Sequence, residues 1–373
     1  MIEVKEIHSR KELKKFVKFP FTLYKNSKSW VPPIISEEIN TLDRNINPVF
    51  DNAEGQFFLA YKNGKIVGRI AALINWIEVN DQKIKKIRFG WFDVIDDLEV
   101  TRALINKVNE IGKSNNLEYI EGPLGFSNLD KVGVVYEGND HIGSMITWDN
   151  HYYYVKHLEA LGFTFGKGYS ESKFAYADIK NENFQKIQSL IKRRYGLRAL
   201  SFKSTKEIIP YTDEMFDVFS KSHEVLSSFV EINDRQKDYF KKKFIPFLTP
   251  EYVQFVLDKE DKLIAFAIVT PSYARALQKM NGKVWPFGFR HLLRAKKRSK
   301  SVTFYLIGVL PEYQNKGVTA IIFDEYYKEF GKRGIVECLR GPELDDNVAI
   351  HQLWKHFNPK VFKRRCTYKK DIV

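Results

Sequence analysis

Three local signals occur twice in this chain, in the same order and at nearly constant separation. Ser9-Arg10-Lys11-Glu12 and Ser204-Thr205-Lys206-Glu207 are both S-x-x-E capping boxes, each following a short alternating apolar segment. In that motif the Ser and the Glu satisfy one another's backbone N–H groups at a helix start. A hairpin comes next. Residues 57–60 and 66–74 are apolar runs flanking Asn63-Gly64, the dipeptide best suited to a two-residue turn, and residues 253–257 and 263–270 flank Lys259-Glu260-Asp261. Last, Asp149-Asn150-His151-Tyr152 and Asp346-Asn347-Val348-Ala349 each place an Asn at the opening of an amphipathic helix. The offsets are 195, 197 and 197 residues. Each signal alone is common, but three in register imply duplication of a unit of roughly 150–190 residues.

Each copy reads strand, helix, hairpin, strand, helix, strand, helix, strand. That order implies an α/β fold in which a mixed, largely antiparallel sheet is flanked by helices. Residues 181–194 carry Phe184, Ile187, Leu190 and Ile191 at helical spacing and read as a helix joining the copies. The domains expected are therefore 1–180 and 181–373, the alternative being one domain with an internal meander. The chain's 373 residues are enough for two cores.

The net charge of +14 is unevenly placed. Residues 279–300 contain basic side chains and no acid, and so do residues 348–370, with Lys355, Lys360, Lys363, Arg364, Arg365, Lys369 and Lys370. Two solvated basic faces would account for this, and so would an anionic cofactor or an anionic membrane. Nucleic acid is the weakest reading, because the sequence holds no zinc finger, helix-turn-helix or aromatic RNA-binding motif. No apolar run approaches the roughly 20 residues that span a bilayer, and Cys338 and Cys366 make neither a disulfide framework nor a metal-ligand spacing. A cytoplasmic protein, soluble or held at the inner membrane face, with no metal, is the expectation.

The second copy carries the segment with chemistry in it. The strand-like run Phe304-Tyr305-Leu306-Ile307-Gly308-Val309-Leu310 leads into Pro311-Glu312-Tyr313-Gln314-Asn315-Lys316-Gly317-Val318-Thr319-Ala320, then into a helical pattern. A strand, a Gly-containing loop and a helix N-terminus present unbonded N–H groups and a positive dipole end, which suit a pyrophosphate. A purely structural turn is the plain alternative. The segment resembles the acyl-CoA-binding stretch of the GNAT superfamily of N-acyltransferases, whose pattern is [QR]-x-x-G-x-[GA], with Gln314 and Gly317 in register and Thr319 in the last position. The resemblance implies two tandem GNAT-like domains. It also implies acyl-CoA, acetyl or longer, held in the second by Val309, Leu310, Gln314, Asn315, Lys316, Gly317, Val318, Thr319 and Asn347. Trp354 stands where the family often has a tyrosine that protonates the departing thiolate.

In the first copy Phe89-Gly90-Trp91-Phe92 runs into Asp93-Val94-Ile95-Asp96-Asp97 before its helix, with no Gly-containing loop. Acids there favour the helix dipole and repel a pyrophosphate. The first copy is therefore expected to bind no CoA.

Acyl transfer to an amine needs a base and oxyanion donors. The carboxylates expected near the thioester are Glu337, Glu343, Asp345 and Asp346, although Asp345-Asp346 before Asn347 equally suits a helix cap. In residues 284–298 large apolar side chains, among them Trp285, Phe287 and Phe289, alternate with an all-basic polar set. That composition suits either an interfacial segment on anionic lipid or a surface insertion packed on its own domain. Lipid contact would favour a lipidic amine acceptor, and its absence a small soluble amine. The readings carried forward are an acyl-CoA-dependent N-acyltransferase, a GNAT-like tandem that binds a ligand or protein without turnover, and an aminoacyl-tRNA-dependent transferase.

Overall fold

A computed structural model describes residues 1–127, 129–179, 181–224 and 229–372, the side chains of Asn181 and Asn183 excepted. In chain order the strands are β1 (Ile2–Glu6), β2 (Ala53–Lys62), β3 (Lys65–Asn75), β4 (Lys86–Val94), β5 (Tyr119–Gly122), β6 (Val134–Glu137), β7 (Thr164–Ala175), β8 (Arg198–Ser201), β9 (Val253–Leu257), β10 (Leu263–Pro271), β11 (Ser301–Val309), β12 (Glu337–Leu344) and β13 (Lys360–Asp371). The helices are α1 (Arg10–Leu23), α2 (Ile35–Leu42), α3 (Leu98–Ser114), α4 (Tyr153–Ala160), α5 (Asn181–Tyr195), α6 (Thr205–Ile208), α7 (Thr212–His223), α8 (Asp234–Phe244), α9 (Ala274–Met280), α10 (Gly288–Arg298), α11 (Thr319–Arg333) and α12 (Val348–Trp354).

Local chemistry explains the elements. Asn63 and Gly64 take φ of 51° and 73°, the left-handed pair that a two-residue hairpin turn needs, so β2 and β3 pair antiparallel from Lys62↔Lys65 to Ala53↔Asn75. The Ser9 capping box forms in full at the start of α1. Its counterpart forms in part: Ser204 donates to Glu207 but accepts no helix N–H, and α6 runs for only four residues. β3 is buried on both faces. Ile70, Ala72 and Ile74 pack with Val100, Leu104 and Val108 of α3, while Ala71 and Leu73 pack with Phe16 and Val17 of α1. A strand buried on both sides requires helices over both faces of its sheet.

The chain divides into two compact units, and neither is a contiguous half. Unit 1 comprises Met1–Ser170, Ala274–Leu292 and Phe362–Val373, and unit 2 comprises Glu171–Tyr273 and Leu293–Val361. A single cut near residue 180, giving 1–180 and 181–373, therefore does not describe the structure.

In unit 1 the sheet order is β1-β2-β3-β4-β5-β13. The first four strands form an antiparallel meander, β4 and β5 are parallel, and β13 closes antiparallel on β5 from Tyr368↔Gly122 to Asp371↔Tyr119. In unit 2, β8-β9-β10-β11 are antiparallel, β11 and β12 are parallel, and residues 171–175 of β7 lie beyond β12. The same order is thus built twice, each time with a closing strand. Alternating apolar residues identify a strand but not its partner, which is why this exchange could not be read from the sequence.

The placement of β13 also changes the reading of the second basic stretch. Lys363 and Arg365 are fully buried. The Lys363 ammonium meets Asp149 at 2.9 Å, and Arg365 donates to the carbonyls of Val132 and Trp148 at 2.9 and 3.0 Å. Part of what resembled a solvated basic face is therefore interior structure. Residues 274–292 are likewise anchored in unit 1: Gln278 donates to the carbonyls of Lys28 and Trp30, and the Ile35 N–H donates to Gly282. Among the described residues no helix is long and apolar enough to cross a membrane, and no group of three His, Cys, Asp or Glu could hold a metal ion.

Candidate functional site

In unit 2 a parallel pair of strands comes apart. β11 and β12 pair from Ser301↔Glu337 to Phe304↔Arg340; residues 305–309 of β11 and 341–344 of β12 continue without pairing to each other. Two local causes are visible. The β10–β11 register shifts between Ile268↔Leu306 and Val269↔Phe304, leaving Tyr305 as an extra residue, and such a bulge bends its strand. On the other side Pro342 has no N–H to give to a ladder. Past Phe304, the β11 N–H groups that point away from β10 therefore have no β12 acceptor. A crevice beyond the carboxyl ends of parallel strands is where open α/β sheets take ligands.

The loop after β11 lies at the mouth of this wedge. Gln314 Nε2 ties it back by donating to the Val309 carbonyl at 3.1 Å. Asn315 and Gly317 are left-handed, φ 58° and 76°, the residue types that accept that conformation at low cost. A Cβ on Gly317 would sit 3.5 Å from Ile187 and Ile191 of α5, so backbone conformation rather than crowding calls for glycine. Val318 precedes α11 without any side-chain cap. The successive N–H groups of residues 315–319 donate to no acceptor among the described residues. Lys316 is exposed, with its ammonium 5.4 Å from the rings of both Tyr195 and Tyr313. Unspent N–H groups, a positive helix end and a lysine make an anion cradle. Val309 and Leu310 lead into it, and Thr319 is the first residue of α11.

The four carboxylates separate. Glu337 opens β12 beside Ser301, accepts from the Ser301 hydroxyl at 3.3 Å, and lies 3.5 Å from Lys173. It is at the wrong end of the strand pair, roughly 25 Å along β11 from Val309 at about 3.3 Å per residue. Glu343 lies in the divergent half of β12, where it accepts from Arg340 and from Trp354 Nε1 at 2.9 Å. Both donors must be displaced before this carboxylate can act as a base. Asp345 and Asp346 are exposed in the turn before α12. The cap there belongs to Asn347, whose side-chain oxygen accepts from the Ile350 N–H at 3.2 Å, leaving its NH2 group without a partner among the described residues. Asn150, its counterpart, caps no helix and instead exchanges bonds with Val135 of β6. Trp354 is 1% exposed and packs on Phe304, Phe323 and Phe357. An indole in that core supplies no proton to a leaving group.

Sequence reasoning missed His223. α7 packs on β10 and β11, and a Cβ on Gly308, in the divergent half of β11, would lie 2.9 Å from Ser222 Oγ and 2.6 Å from the Phe266 ring. Glycine thus lets the end of α7 descend onto the wedge. His223 Nδ1 lies 2.9 Å from the Phe219 carbonyl and 2.9 Å from Ser222 Oγ. Nδ1–H donating to that carbonyl leaves Nε2 with the lone pair, a tautomer assigned from the bonding network. Burial holds the imidazole below its ordinary pKa, so it is neutral near pH 7 and able to accept a proton. The one signal in the sequence was a glycine inside a strand, the mark of close backbone approach. The thiol of β12, opposite Val302 in the paired half, offers no such chemistry, since burial pushes Cys338 up to about 12.

Unit 1 has the same strand divergence and fills it. β4 and β5 pair over three residues, after which the Leu124 N–H donates to the Phe89 carbonyl at 2.7 Å, and a Cβ on Gly90 would overlap the Leu124 carbonyl. Trp91, at φ 43°, packs on Phe126 and Trp148. Asp97 caps α3 by accepting from the Glu99 N–H. The Val94 N–H is taken by Tyr154 Oη at 2.9 Å.

No family model matches the chain. It is 25% identical over 376 residues to Protein YghO of Escherichia coli (strain K12), covering 99% of this chain and 95% of that one. It is 26% identical over 314 residues to the bacterial ceramide synthase of Caulobacter vibrioides (strain NA1000 / CB15N), covering 81% of this chain and 79% of that protein. Among solved structures, a tandem GNAT protein from the clavulanic acid biosynthesis pathway superimposes with a TM-score of 0.58 at 8% identity, covering 100% of this chain and 99% of that one.

Proposed function

The chain carries the tandem GNAT fold, and from that premise we propose that it is an acyl-CoA-dependent N-acyltransferase whose single CoA site is the unit 2 wedge. The observation that carries this reading is the coincidence of the open β11–β12 divergence with the uncapped N–H groups of residues 315–319. Those N–H groups and Lys316 would hold the pyrophosphate. The divergent edges of β11 and β12, with the Asn347 amide, would hold the pantetheine arm. Acyl-CoA supplies an activated thioester.

The protein's own groups then have limited work to do. His223 Nε2 takes the proton that the acceptor ammonium must lose before its nitrogen can attack the thioester carbonyl. The N–H groups of β11 that β12 leaves unbonded steady the oxyanion. Attack forms the C–N bond, and collapse of the oxyanion then breaks the C–S bond, the nitrogen giving up its second proton to the departing thiolate. The thiolate leaves without a tyrosine to protonate it, because a thiol of pKa about 8.5 is a serviceable leaving group. The finer reading takes the acceptor to be a long-chain lipid amine. Its support is the similarity to a protein named for ceramide synthesis, a ceramide being an N-acylated long-chain amine.

Binding without turnover is the second reading, favoured by Trp354 in the core where the family's tyrosine acid is expected. Calorimetry with acetyl-CoA and palmitoyl-CoA, followed by thiol-release assays with a sphingoid amine and with a small soluble amine, separates the two. Release of free CoA that depends on the lipid amine supports the full reading. CoA binding with no release under any amine supports the second, and no binding of either thioester overturns both.

A further inference from the structure

The first basic stretch does not enter the wedge chemistry, and its geometry points elsewhere. The segment begins on a firm mount, with Gly282 at φ 75° packed against Phe21 and Ile35 and Gln278 bonded to two carbonyls. The following turn is held by the Phe289 N–H donating to Val284 and the Arg290 N–H to Phe287. This ordered turn holds its two largest side chains outward: Trp285 is 75% exposed and Phe287 63%. α10 follows, and none of its residues is buried. Phe289, Leu292 and Lys296 are half-covered on one side of the helix, whereas Arg290, Leu293, Arg294, Lys297 and Arg298 are exposed on the other. Arg290, Arg294, Lys297 and Arg298 form no ion pair with any carboxylate among the described residues.

We propose that Trp285, Phe287 and Leu293, ringed by Arg290, Arg294, Lys297 and Arg298, form a docking face for the surface of an anionic phospholipid bilayer. Three large apolar side chains held in water by an ordered backbone are costly unless something covers them. The partner must also carry negative charge, since four neighbouring cations have no carboxylate of their own. A bilayer surface meets both needs, with aromatic and aliphatic groups entering the acyl boundary and cations at the headgroups. A nucleic acid would satisfy the cations and leave the apolar groups unexplained. Eleven residues of helix measure about 16 Å, enough to lie in the interface and too short to span it.

The test uses the full-length protein without CoA, so its outcome is independent of the proposed transferase activity. Flotation is run with vesicles of phosphatidylcholine alone and with phosphatidylglycerol added, over a salt series, beside a single-stranded RNA filter-binding assay. The expected result is recovery on the anionic vesicles only, weakening as salt rises because the attraction is screened within about 8 Å at physiological ionic strength. Arg290→Gln, Arg294→Gln, Lys297→Gln and Arg298→Gln together should lower partitioning by ~100-fold or more. Trp285→Ala with Phe287→Ala should lower it by about 10-fold at every salt concentration. Melting curves establish that both variants are folded. Equal recovery on neutral and anionic vesicles overturns the proposal, as does recovery on neither. So does an unchanged quadruple variant, or RNA binding without vesicle binding.

Discussion

The two units finish the same piece of architecture in opposite ways. Each has a parallel strand pair that separates after three or four residues, with a bulge just past the paired residues and a helix beyond it. In unit 1 the connection from β4 to α3 is three residues long, Asp97 caps the helix, and aromatic side chains fill the divergence. A buried pair, Arg69 with Asp93, and the hydroxyls of Tyr24 and Tyr154 finish the closure. In unit 2 the connection from β11 to α11 is nine residues long, no side chain caps the helix, and the strands stay unpaired with each other past Phe304 and Arg340. Opening or closing such a site is thus decided by a few residues between strand and helix, while the sheet remains unchanged.

The comparison breaks most visibly at Gly317. Gly317→Asp places a carboxylate among the unspent N–H groups and forces a side chain into the left-handed region, so acyl-CoA affinity should fall by at least ~100-fold in calorimetry. The matching change in unit 1, Asp97→Asn, should leave that affinity unaltered. A comparable loss in Asp97→Asn would mean that the units are not opposites.

The next contrast is between two histidines. His223→Ala should lower kcat by about 10²–10⁴-fold with the acyl-CoA Kd unchanged. His157→Ala in unit 1, which removes bonds to Thr101 and Asp96, should cost stability and leave kcat alone. The pH profile sharpens this. In the proposed mechanism neutral His223 is the base, and burial holds its pKa below the ordinary value of about 6.5. Protonation at low pH removes the base, so kcat/KM should hold steady down through pH 7 and decline only below about 6.5. A base-limb inflection above pH 7 that disappears in His223→Ala would refute the assignment of a depressed pKa.

Unit 1 should respond to its own interior. Asp93→Ala leaves the Arg69 guanidinium buried without its partner, which should cost about 3–5 kcal/mol in urea unfolding. The smallest effect belongs to Asn347→Ala. Loss of the α12 cap should cost about 1 kcal/mol, together with a modest rise in the KM for acyl-CoA from the missing amide.

Features decided by local chemistry were legible in the sequence. Asn63-Gly64 dictated a turn, Ser9 and Glu12 dictated a helix start, and the 3.6-residue period of 181–194 dictated α5. The Gln314–Gly317 loop was found because glycine, a preceding strand and a following helix are all visible in one dimension. What escaped was decided by packing. Glu337 was grouped with Glu343 by closeness in sequence, yet a separation of six strand residues puts them near opposite ends of β12. Asn150 and Asn347 occupy matching positions, but Val135 of β6 bonds the first and so prevents it from capping. His223 is a single polar residue at the end of an amphipathic helix, and only the contact between Ser222 and Gly308 brings that helix end beside the divergent half of β11.

The place of β13 in unit 1 has a consequence for how the protein is made. Synthesis of the first 170 residues leaves that unit without its closing strand, and about 190 further residues must be added before Phe362 appears. At ~5–20 residues per second the wait is on the order of 10–40 s. Throughout it, β5 presents an unpaired edge, the kind of edge that recruits strands from other chains. A message carrying several ribosomes would hold several such edges side by side. Damage to the codons for residues 362–373 would therefore be felt in a unit most of which is made long before them.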